Sequence, residues 1–216
     1  MLKFRNSILR ISYSVLLISC NSENKGETES EQAYQDYKAF VEDVEADTAV
    51  KESDIGDAWQ TRTDTLQNTF KGYKEGITKH LDDYEAERRE EVNAFDDRLE
   101  VAFETRLKRY DEVSHRYKLR KEIIGLDVPE DDMSSITAAN ISATYQHFIQ
   151  SLKNDLTGYT KTDWQLIEGW WNALENRRQA ISKELKPTDN EAITEYQQTY
   201  IKLREKALNQ ATTVAG

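Results

Sequence analysis

The stretch Ile55–Tyr117 decides the fold; cut into elevens it reads IGDAWQTRTDT, LQNTFKGYKEG, ITKHLDDYEAE, RREEVNAFDDR, LEVAFETRLKR and YDEVSHRY. Apolar residues recur along it at offsets of four, three and four. One row holds Ile55, Leu66, Ile77, Arg88, Leu99 and Tyr110. A second holds Trp59, Phe70, Leu81, Val92, Phe103 and Ser114, and a third Arg62, Tyr73, Tyr84, Phe95, Arg106 and Tyr117. Fourteen of these eighteen positions are apolar or aromatic, where the chain's 38% would place about seven. Eleven residues in three turns is about 3.67 per turn, a stripe that runs almost straight or with slight right-handed supercoil. It is not the heptad seam of a left-handed coiled coil. Loops ordinarily shift such a phase, and here the phase holds. The expectation is one very long helix over residues 54–122, or two helices in strict register. Unbroken, it would be roughly 100 Å long. Gly72 and Gly76 are its weak points, each costing about 1 kcal/mol relative to alanine.

The flanks extend the same character. A shorter helix is expected at about 31–51, with Tyr34, Tyr37, Phe40, Val41 and Val44 inward, and Ser53 or Asp54 can cap the next. The run from Gly125 through Pro129 to Ser135 is the clearest loop, and Ser134 or Ser135 can cap a return helix. That helix carries Ile141, Tyr145, Phe148, Leu152, Leu156 and Tyr159. The phase slips by one near Gly158 to Thr162 and resumes at Trp164, Ile167, Trp171, Leu174, Ile181 and Leu185. Pro187-Thr188-Asp189 stops one helix and starts the last, with Ile193, Tyr196, Tyr200, Leu203 and Ala207 inward. A stripe must bury itself against another. The expected fold class is therefore all-α, an elongated antiparallel bundle over residues 33–210 with a frayed tail at 211–216. Two prolines, eight glycines and 32% charged residues agree with long helices.

The amino terminus has a different composition. Lys3, Arg5 and Arg10 form a basic segment, and Ile11 to Ser19 an apolar one too short to span a bilayer. Residues 1–19 read as a signal peptide ending in Leu17-Ile18-Ser19 before Cys20. Residues 20–32 are polar and acidic and read as a flexible tether. Cys20 is the only cysteine, so no intrachain disulfide or cysteine-based metal site is possible.

Leu17-Ile18-Ser19-Cys20 resembles the lipobox of bacterial lipoproteins. The resemblance implies diacylglyceryl and palmitate-type acyl chains on Cys20, cleavage before it, and stable membrane anchoring by two or three chains. Lipobox, acidic tether and Trp-punctuated helices together resemble the helical lipoproteins of Bacteroidota, a resemblance that supplies no activity or site. It places the chain in the cell envelope, with the outer membrane preferred.

Charge and motifs bound the function. Forty acidic against 29 basic residues give −11, and without Lys3, Arg5 and Arg10 about −14. Such a charge disfavours nucleic acid as a partner. Glu112-Val-Ser-His115 has the Glu-x-x-His spacing of bundle di-metal sites, which need two such motifs, and a second is absent; no metal or cofactor is expected. No phosphate loop, nucleophile elbow or paired-histidine zinc motif occurs, and catalysis is not expected.

Two features point to partners. Arg116, Lys118, Arg120 and Lys121 lie where a helix ends, as macrodipole complements or as a contact for an anionic partner such as lipid head groups or polysaccharide. Trp170 and Trp171 are adjacent and point about 100° apart. Trp171 shares the stripe's phase with Trp59 and Trp164, so Trp170 is expected to be partly exposed, as a partner contact. The functional expectation is a non-enzymatic interaction or spacer module for an unknown envelope protein or polysaccharide. The alternatives are a holdase-like chaperone with an open apolar groove, and a ligand-binding bundle with a closed cavity.

Overall fold

The computed structural model describes residues 25–214. These form six helices and no strand: α1 Lys25–Ala46, α2 Asp57–Thr78, α3 Ala86–Ile124, α4 Ile141–Asn154, α5 Lys161–Ala180 and α6 Pro187–Val214. Short 3-10 turns punctuate the connections, among them Glu52–Asp54, Leu81–Asp83, Pro129–Asp131 and Met133–Ser135. The all-α bundle is what the periodicity implies.

The single long helix is corrected. Residues 54–122 are two helices, broken not at Gly72 or Gly76, which lie inside α2, but at Lys79–Glu85. There the backbone makes the Leu81–Asp83 turn and then runs extended through Tyr84 and Glu85. The break leaves the phase intact because a 3-10 turn repeats every three residues. Leu81 stays half-buried, and three residues on Tyr84 is buried with its hydroxyl donating to the Ser30 carbonyl at 2.6 Å. The stripe therefore folds back on itself. Phe70 meets Phe103 at 6.4 Å and Trp59 stacks on Tyr110 at 4.4 Å. In a straight helix the first pair would stand about 50 Å apart. Each of the eighteen stripe positions is buried or half-buried.

α1 completes the first core, with Tyr34, Tyr37, Phe40, Val41 and Val44 buried against Ile77, Val92, Phe95 and Leu99. The arginines that interrupt the apolar stripe are placed where the acids of α1 and its exit face them. Arg88 pairs with Glu31 and lies over the Tyr34 ring, while Arg62 and the buried Arg106 both reach Asp47. These contacts also correct α1's limits. It begins at Lys25, inside the expected tether, because Ser30 and Glu31 are fastened to Tyr84 and Arg88. It ends at Ala46, with Asp47 turned to the arginines.

The second core is built from the carboxyl end of α3 and from α4, α5 and α6, around Ile123, Ile141, Tyr145, Phe148, Leu152, Ile167 and Leu174. α3 enters both cores and, at 39 residues, is roughly 58 Å long. Gly125 ends it at φ +75°, the left-handed cap that glycine adopts without strain. Asn140, not Ser134 or Ser135, precedes α4; its side chain accepts from the Thr137 amide at 2.7 Å. The phase slip is a true break between Asn154 and Lys161. Thr160 and Asp163 close a capping box at the start of α5. α6 continues to Val214, past the expected end at 210, since nothing between Gln210 and Val214 interrupts a helix.

Candidate functional site

A dense polar arrangement lies on α3 between the two cores. Arg120 is 1% exposed. Its guanidinium forks onto Glu52, with Nη1 donating to Oε1 at 2.6 Å and Nη2 to Oε2 at 2.5 Å. The same Nη1 donates to Asp131 Oδ1 at 2.8 Å. Trp170 donates its indole N–H to that oxygen, also at 2.8 Å, and Arg116 pairs with the other. The Glu130 amide donates to Glu52 Oε2 at 2.9 Å. Thus the α1–α2 connection, α3, the loop after α3 and α5 are tied at one point.

The loop is bent to make this possible. Glu130 and Asp131 have φ of +50° and +62°, a left-handed conformation that costs residues with a Cβ on the order of 1 kcal/mol each. The conformation turns the Asp131 carboxylate in toward Arg120. A buried fork of this kind is worth having only if both carboxylates are fully engaged. The electrostatics agree. Hydrogen bonding from Arg120 holds the Glu52 carboxyl below its ordinary range, against the effect of burial. Burial pushes Asp131 up, but the bonds from Trp170, Arg120 and Arg116 outweigh it and hold the group below its ordinary value.

These contacts correct two expected partner residues. Trp170 is buried at 2% and bonded to Asp131, not partly exposed. α5 is covered on two sides, so Trp170 faces α3 and its loop while Trp171 faces α6, stacked 3.9 Å from Tyr200. Adjacent side chains can both be buried in that setting. Arg120 is enclosed and committed to Glu52 and Asp131, so it is no surface contact. Of the rest of the basic run, Arg116 pairs with Asp131, Lys121 approaches Asp127 at 3.8 Å, and Lys118 is exposed. Cys20 and the cleavage motif Leu17, Ile18 and Ser19 lie outside the described residues.

The histidines serve separate local contacts. His115 Nε2 lies 2.6 Å from the buried Asp163, joining α3 to the capping box of α5, while Glu112 lies beside Arg109. His80 pairs with Asp83, and His147 bonds the Glu122 carbonyl. Among the described residues no three His, Asp or Glu side chains come together as metal ligands. Nor is any helix there long and apolar enough to cross a membrane.

Among the described residues an apolar groove is open to solvent. It holds about 470 Å³ and runs between α2 and α3, over Phe70, Leu99, Phe103 and Leu107. Sequence periodicity assigned Phe70, Leu99 and Phe103 to the core but passed over Leu107, an apolar residue off the stripe. Glu52 and Asp131 were missed, because acids that pair across a fold carry no local signal; Asp163 was missed although Thr160-x-x-Asp163 has the spacing of a capping box. Comparison with protein-family models, curated proteins and solved structures finds no match for this chain.

Proposed function

We propose that the chain is a lipid-anchored protein of the cell envelope whose helical body is a non-enzymatic interaction or spacer module. The observation that carries this reading is the junction on α3. One helix enters both cores, and the Arg120–Glu52–Asp131 clasp locks the loops of both to it. Such a body transmits position and does not hinge. The buried polar groups at the junction support the reading as well, since Arg120, Asp163 and the Trp170 indole are engaged by partners within the fold and not by a shared cavity. The lipobox resemblance at Leu17–Cys20 supplies the anchor, with the outer membrane preferred, and an envelope protein or polysaccharide is the partner in view.

Metabolic labelling with radioactive palmitate and membrane fractionation test the anchor. The native chain should take up label and sediment with membranes; the Cys20→Ser chain should do neither. Equal labelling of both would end the lipoprotein reading. Crosslinking in intact cells, followed by recovery of the chain from solubilised membranes, tests the module and should retrieve a defined envelope component. The α2–α3 groove gives a holdase-like chaperone some support as the alternative. That reading predicts substoichiometric suppression of client aggregation, lost on Leu107→Glu.

A further inference from the structure

α2 and α3 are held apart by aromatic spacers, and α1 covers only one side of the pair, through Phe95, Arg98 and Arg106 of α3. On the other side lies the open groove, where Leu107 is 54% exposed. Its two lips carry opposite charge. Asp96, Glu100 and Glu104 line the α3 lip; the adjoining α2 surface, continuous with the groove at Phe70, carries Lys71, Lys74 and Glu75, with Lys79 just past the helix end. Lys74 and Asp96 satisfy each other across the groove. Lys71, Lys79, Glu100 and Glu104 enter no ion pair among the described residues.

We propose that a second copy of this chain closes the groove, two α2–α3 pairs forming an antiparallel four-helix bundle. The lips are complementary to themselves in one arrangement only. A two-fold axis parallel to the helices sets α2 of each copy against α3 of the other at the same height. Phe70 packs on Phe103, so Lys71 and Glu104 share a height, and each then faces its opposite charge in the other copy. A two-fold axis across the helices would set lysine on lysine. In the first arrangement all four neighbours run antiparallel, and Leu107 of both copies enters the shared core. Faces about 30 Å long and about 20 Å wide bury about 600 Å² on each copy, the lower end of specific interfaces. The dimer is accordingly weak and dependent on local concentration. The same axis points both amino termini one way, as two chains anchored in one membrane require, though the dimer itself does not depend on an anchor.

The test uses the full chain, in cells and purified, with Cys20 as the only native cysteine. Mild oxidation of the Leu107→Cys chain should yield a disulfide-linked species of twice the chain mass. The Val101→Cys chain, altered at an equally exposed position off the groove, should yield little. Adding Lys71→Glu or Glu104→Lys to Leu107→Cys should cut the yield several-fold, and adding both should restore it. Equal yields at positions 107 and 101, no doubled species, an adduct with a different protein, or no restoration by the charge swap would each overturn the proposal. Loss of palmitate labelling without loss of the crosslink would overturn the anchor and leave the dimer standing.

Discussion

Trp170 and Arg120 converge on a single oxygen, each donating to Oδ1 of Asp131 at 2.8 Å. One comes from α5 and the other from α3, and the acceptor sits on a backbone held at φ +62°. Because the two donors share one acceptor, neither can be altered without changing the field at the other.

Arg120→Ala should be among the most destabilising single changes in the chain. It leaves Glu52 without its cation and Asp131 with Arg116 alone, and breaking a buried pair costs roughly 3–5 kcal/mol. Arg120→Lys keeps the charge but not the fork, and should cost about 1–3 kcal/mol. Urea unfolding of the three chains measures both. A loss under about 1 kcal/mol for Arg120→Ala would remove the clasp from any account of stability.

The adjacent tryptophans should behave alike when truncated and differently when trimmed. Trp170→Ala and Trp171→Ala should each cost about 3–5 kcal/mol, since both are buried. Trp170→Phe keeps most of the apolar contact and loses the bond to Asp131, so about 1–3 kcal/mol of its effect belongs to the indole N–H. Near-neutral Trp170→Ala in a denaturant titration would contradict its buried placement.

Glycines separate by backbone, not by burial. A Cβ at Gly72 or Gly76 of α2 meets nothing within 4 Å, so Gly72→Ala and Gly76→Ala should each raise stability by about 0.5–1 kcal/mol. Gly125→Ala should lower it by about 1 kcal/mol, because φ there is +75° and the new methyl would also press on the His147 ring. Thermal unfolding of the three variants gives the signs. A destabilised Gly72→Ala chain would mean that α2 bends there.

Acid should unfold the protein through its engaged carboxylates. Glu52, Asp131 and Asp163 are held below their ordinary values, the last by His115 and Thr160 against the upward push of burial. A carboxyl depressed in the folded state takes up protons more readily when unfolded. Its contribution is therefore present above the ordinary carboxylate range and is lost as pH falls from about 5 towards 2. Urea midpoints recorded across that range should drop, and the drop should be shallower in Glu52→Gln. Stability that rises on acidification would refute the assignment.

The fold class was legible in the residues themselves. Apolar side chains at helical spacing, few glycines and prolines, and a stripe whose positions all lie inward leave little but a bundle, since a helix with one apolar face must bury it. The inward faces of α1 and of α4 as far as Leu152, the break before α5 and the restart at Pro187 were read the same way, whereas Leu156 and Tyr159, expected on the same helix, lie beyond its end at Asn154. The reversal at Lys79–Glu85 was not, because a turn that repeats every three residues preserves the phase by which loops are recognised.

Tertiary structure alone decided the rest. Whether Trp170 faces solvent depends on how many helices surround α5, and one helix's periodicity describes only one neighbour. Whether Arg120 belongs to a surface patch or a buried clasp depends on Glu52 and Asp131, which reach it from other segments. Local spacing determines which face of a helix turns inward; which charges meet there is settled only when separate segments are packed together, because Coulomb and hydrogen-bond partners are chosen by distance in space and not by distance along the chain.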